Sequence, residues 1–158
     1  MFTARQNTAG APEQDAARVD DFTAWCTLPA AELTTVEEVE IHVLKPLLDF
    51  AVGEVPQVEV RSGGDVGSHV VYLSDRPMCA VTVAARVRRG RDWTDCPAFR
   101  EAVAYANSLG VSAMLVDSLD VYLIDYGADR PRKILPRSMF TRSALAVVHD
   151  HLLVGESV

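Results

Sequence analysis

Apolar residues along this chain switch between two spacings, and the switches mark the elements. Ile41, Leu44 and Leu48 recur at helical spacing, with Leu47 widening the stripe, behind the capping pattern Thr35-Val36-Glu37-Glu38. This predicts a helix to about Ala51, with Pro46 marking a kink or an early stop near Lys45. From Gln57 to Arg61 apolar and polar residues alternate as in a strand, closed by the turn cluster Ser62-Gly63-Gly64-Asp65. Ser68 to Leu73 and Met78 to Val87 read as two further strands joined by Ser74-Asp75-Arg76-Pro77. The second of these is apolar nearly throughout, which suits a central strand covered on both faces.

Helical spacing returns at Pro97 to Leu109, with Phe99, Val103 and Ala106 on one stripe and Gly110 as the C-terminal cap. Val111 to Val116 and Val121 to Tyr126 predict two more strands. Pro131 to Pro136 reads as a basic linker and Ser138 to Leu153 as a final amphipathic helix. The apolar face of that helix, Ala144, Val147, Val148 and Leu152, packs on the core or on another subunit. A short helix is expected from Asp20 to Trp25, interrupted by Pro29. Residues 1–20 lack apolar periodicity and read as a flexible tail, leaving 21–158 as a single domain. Helix, three strands, helix, two strands, helix is an α/β order: a mixed β-sheet of about five strands flanked by helices.

Charge narrows the functions this domain can have. With 15 Lys and Arg against 22 Asp and Glu, the net charge is −7, which argues against binding nucleic acid with the whole surface. Two local basic segments stand out. Arg86, Arg88, Arg89 and Arg91 form one, and Arg130, Arg132, Lys133, Arg137 and Arg142 the other. They are read either as phosphate contacts or as a solvated loop with helix-end charges. No apolar run approaches the ~18 residues of a membrane span and no secretory pattern opens the chain, so the expected setting is the cytoplasm. Cys26, Cys79 and Cys96 are odd in number and lack metal-ligand spacing, as expected of reduced thiols. His42, His69, His149 and His151 show no metal-site spacing, and Trp93 reads as a loop anchor or a partner contact.

The pattern also carries a resemblance. Lys45-Pro46-Leu47-Leu48 is followed by Ser68-His69-Val70-Val71-Tyr72-Leu73, the turn Arg76-Pro77, Thr82-Val83-Ala84, and Glu101-Ala102-Val103-Ala104-Tyr105-Ala106. This order resembles the PD-(D/E)xK nuclease superfamily, in particular the N-terminal domain of type I restriction enzyme R subunits, over roughly Thr34 to Tyr126. The resemblance implies a restriction-endonuclease-like core. In that family an Asp on the first hairpin strand and a Glu-x-Lys on the second hold and assist Mg²⁺, which takes hard oxygen ligands. Here Ser68 takes the Asp place, Thr82 and Ala84 take the Glu and Lys places, Glu101 replaces a helix Gln, and Val116-Asp117-Ser118 stands where Thr-Asn-Gly would be. Neutral hydroxyls and a methyl group do not replace two carboxylates and an ammonium.

The expectation is therefore a catalytically inactive nuclease-like domain with no cofactor, acting in binding, regulation or assembly through a protein partner or self-association, in DNA metabolism or defence. One alternative is a DNA-binding protein that does not cut, using Arg86, Arg88, Arg89, Arg91, Arg132 and Lys133. Another is a Mg²⁺-dependent nuclease with a migrated site built from Glu59 and Asp65, assisted by Arg86. Glu37 or Glu38 takes the place of the family's first-helix Glu, although cap duty explains Glu38 equally well.

Overall fold

The computed structural model describes residues 21–154. The expected tail at 1–20 lies outside the described residues. A helical segment over 21–27 and a short 3₁₀ turn at Ala30–Glu32 lead into α1, which runs without a break through Val36–Val39, a π-helical turn Glu40–Leu44, and Lys45–Val52. Six strands follow: β1 (Val58–Ser62), β2 (Ser68–Leu73), β3 (Arg76–Val83), β4 (Ser112–Val116), β5 (Asp120–Ile124) and β6 (Lys133–Pro136). Helix α2 (Pro97–Leu109) joins β3 to β4, and α3 (Arg142–Leu153) closes the described chain.

The start of α1 is built as its sequence predicts. Thr35 accepts from the Glu38 amide while Glu38 Oε1 accepts from the Thr34 and Thr35 amides at 2.9 and 3.1 Å. These bonds, the one from the Thr34 amide first, hold the Glu38 carboxyl below its usual range. Glu38 therefore serves the cap. The helix neither stops nor breaks at Pro46. The π-helical turn ends at Leu44, two residues before it, with the Lys45 N–H reaching Glu40 O. The wider turn accommodates a ring that lacks an N–H and would clash with the preceding α-turn.

The strands lie in chain order, β1 to β6, in one mixed sheet. Only β3 and β4 run parallel, linked across α2; every other neighbouring pair is antiparallel. Alternate residues feed two separate cores. Val71, Cys79, Val81, Val83, Met114, Val116, Val121 and Leu123 pack with α1 and α3. Ala80, Ala113, Leu115, Tyr122 and Ile124 pack with Phe99, Ala102 and Ala106 of α2. The result is three layers, helix–sheet–helix. Burial pushes the Cys79 thiol up to about 12.

Three elements depart most from the pattern reading. The basic linker is strand β6: at an edge, Lys133 and Pro136 are tolerated because one side of the ladder needs no partner. This makes six strands where about five were expected. β3 ends at Val83 rather than Val87, because beyond Ala84 the chain turns away and Asp117 Oδ2 captures the Val87 amide at 2.8 Å. α3 begins at Arg142, capped by the Thr141 hydroxyl, after a 3₁₀ turn at Arg137–Met139. The face of α3 offered to a core or a subunit packs on the core: Val148 and Leu152 are fully buried.

Candidate functional site

The β2–β3 hairpin forms as expected. Its turn is two residues, Ser74 and Asp75, both left-handed (φ 51° and 67°), the geometry that matches strand twist. The register shifts between Val71 and Tyr72, whose partners are Cys79 and Pro77, so the extra residue of the bulge is Met78 on β3. Ser68 is the register partner of Thr82, and Thr82 in turn lies beside Leu115 of β4. Thr82 shares its side of β3 with Ala80, so this level of the hairpin faces α2. Ala84 follows just past the strand, its amide held by Val116 O at 2.9 Å.

The chemistry gathered there is hydroxylic rather than acidic. Thr82 is 5% exposed and its Oγ1 has no hydrogen-bond partner among the described residues. Tyr105 of α2 leans over the hairpin base: a Cβ placed on Gly63 would overlap the Tyr105 hydroxyl and stand 3.1 Å from Ser68 Cβ. Burial, then Tyr72 and Asp65, raises the Tyr105 pKa. Glu101, one helical turn earlier, is exposed. This donor set does not fit Mg²⁺, because Ser68 and Thr82 offer only neutral oxygens and Ala84 offers none.

Of the two migrated-site acids, Glu59 is engaged by an arginine. Glu59 Oε1 accepts from Arg61 at 2.8 Å, which holds its carboxyl below the usual range, and Asp75 takes the same guanidinium at 3.0 Å. Arg61 also lies 4.0 Å over the Tyr72 ring. Asp65 lies in the exposed turn between β1 and β2. Among the described residues no group of three His, Cys, Asp or Glu side chains is placed to share an ion.

The two basic segments separate into bridging, structural and free charges. Arg89, Arg91 and Arg130 line one cavity of about 510 Å³ with Asp92, Trp93 and Asp129. Trp93 anchors this loop on Phe99 and Tyr122, at 5.4 and 5.7 Å between ring centroids, and carries Arg89 at 4.9 Å over its own ring. Asp92 is occupied by the Thr94 amide and hydroxyl, and Asp129 by Arg130 at 3.5 Å. Arg86, Arg88 and Lys133 are exposed. Arg132 is a bridge: its Nε donates to Asp125 at 3.0 Å and a terminal nitrogen donates to His151 Nδ1 at 2.9 Å.

Arg137 is not a phosphate contact. It is 3% exposed, donates to the Ser118 and Trp25 carbonyls, and ties the helical segment at 21–27 to the β4–β5 turn. That turn is itself organised by buried Asp117, whose carboxylate accepts from the Val87, Leu119 and Asp120 amides. Burial, then Asp117, raises the Asp120 pKa.

The sequence named Arg89, Arg91 and Arg130 but not their convergence, which depends on where the β3–α2 loop lies over the sheet. Tyr105 was visible only as a framework match; its position four residues after Glu101, on the same helix face, was the signal available. The contact of His69 Nε2 with Glu40 Oε1, at 3.2 Å across the α1 side of the sheet, left no sequence signal. Comparison with family models, with curated proteins and with solved structures returned no match.

Proposed function

We propose that this chain is a nuclease-like domain that binds rather than cuts, working in the cytoplasm as a regulatory or assembly component. One observation carries the reading. The hairpin level at which the resembled family holds its metal is filled by a Ser68–Thr82 register pair beneath Tyr105, with the acids nearest in sequence tied to Arg61 or lying in a turn. The reading is supported by the element order, two hairpin strands, a helix and a further strand, which is the order that carries the resemblance. The test is incubation of plasmid and linear DNA with the purified chain in Mg²⁺ or Mn²⁺. The reading expects no cleavage; cleavage abolished by Asp65→Ala or Glu59→Ala overturns it in favour of a migrated site.

A second reading, holding DNA without cutting it, is favoured by the convergence of Arg89, Arg91 and Arg130 beside Trp93. It expects affinity that falls steeply with salt, whereas a protein-binding module shows little such dependence.

A further inference from the structure

Among the described residues, the outer side of β1 is a sheet edge with no partner strand. Gly63 N donates to Ser68 O and Ser74 N donates to Gln57 O, so residues 57 and 63 turn their backbone groups toward β2. With a period of two, Glu59 and Arg61 do the same, and the N–H and C=O of Val60 point away from the sheet. The other edge is blunted by Pro131, Lys133 and Pro136 at β6. The five residues of β1 contain neither Pro nor Lys.

We propose that β1 is a homodimer edge: a second copy of this chain pairs its own β1 antiparallel to it about a two-fold axis at Val60, joining two six-stranded sheets into one. The argument is charge complementarity in register. Centring an antiparallel pair on Val60 places Glu59 opposite Arg61 of the second copy, and Arg61 opposite its Glu59. Val60 then exchanges both backbone bonds with its own equivalent. Glu59 and Arg61 fall at the flanking non-hydrogen-bonded positions, where side chains approach closest. Arg61 is already held extended over Tyr72, so little ordering is needed. Val60 itself is 38% exposed. A groove of about 490 Å³, lined by Leu44, Leu48 and Val52 of α1 and by Val58 and Val60, runs along the same edge. One acid and one base in this order suit the strand's own copy and oppose most other edges.

The test is sedimentation velocity across a concentration series, with circular dichroism to check folding. The wild-type chain is expected to dimerise. Val60→Pro removes an N–H that faces outward, so it spares the β1–β2 ladder and yields a folded monomer. Glu59→Arg and Arg61→Glu each place like charges opposite one another in a homodimer, weakening it about tenfold or more. Mixing these two variants restores pairing in trans, although each keeps its like charges in cis. A wild-type chain that stays monomeric, a Val60→Pro variant that still dimerises, or a mixture that stays as weak as its components would overturn the proposal.

Discussion

Ser68 and Thr82 are register partners across β2 and β3. Ser68→Asp with Thr82→Glu places two carboxylates at that level. Thr82 is buried, so without metal the variant loses about 1–3 kcal/mol of stability from an uncompensated buried group. Mg²⁺ or Mn²⁺ at ~100-fold over its Kd returns about 2.7 kcal/mol. Thermal melts with and without the ion should move for the variant and stay fixed for the wild-type chain.

Arg137→Met leaves the Ser118 and Trp25 carbonyls without their buried donor. The expected loss is about 2–4 kcal/mol, read as the shift of a urea midpoint. Arg89→Ala, at an exposed loop position, should stay within about 0.5 kcal/mol. The contrast separates the buried structural arginine from one exposed over a ring.

His151 is buried between Ala113 O, 2.7 Å from Nε2, and Arg132 at Nδ1. The arrangement fits the neutral ring, with Nε2–H donating and Nδ1 accepting. Burial, chiefly, holds its pKa below the usual histidine value, with Arg132 adding to this and the Ala113 bond and Asp125 opposing it. The unfolded chain therefore binds the extra proton first. The stability His151 contributes is complete above about pH 6.5 and is lost as pH falls toward the folded value. Asp120, with its raised pKa, acts in the opposite sense nearer the carboxylate range. Melts from pH 8 to 5 should show the decline, and His151→Gln should flatten it.

Ser74 and Asp75 both adopt positive φ without being glycine or asparagine. Replacing the pair by Asn-Gly relieves that conformation and should stabilise the domain by about 0.5–1 kcal/mol, measured by denaturant titration.

If the cleft beside Trp93 meets phosphates, Arg89→Ala and Arg130→Ala should each weaken DNA binding uniformly across sequences. Each should also lower the slope of log affinity against log salt by about one. Arg132→Ala would act through the Asp125 and His151 contacts and so register first as a loss of stability.

Most of the fold was legible because it depends on local pattern. The Thr35–Glu38 box, the Gly110 cap (φ 71°), the alternation of β1 and the short apolar runs of β2 and β4 each carry their own signal. β6 was not legible, since Lys133 and Pro136 read as strand only once a neighbour exists. The hairpin itself was readable, but its register was not: counting from the turn sets Ser68 opposite Val81, and only the irregularity at Val71/Tyr72 brings it opposite Thr82. The roles of Arg137 and Arg89 were not: both sit in basic runs, and only the tertiary arrangement buries one and leaves the other at a cleft.

The spatial order of the sheet repeats the order of synthesis, and this bears on how the chain reaches it. Four of the five strand pairings close across short connections, the tightest of them two residues long. Only β3 and β4 must find each other over the intervening loop and α2. Loop-closure entropy therefore concentrates in one step, and that step sets the pace of folding. Refolding should slow most for substitutions where Ala80 and Ala113 meet α2, and least for those at β1 or β6.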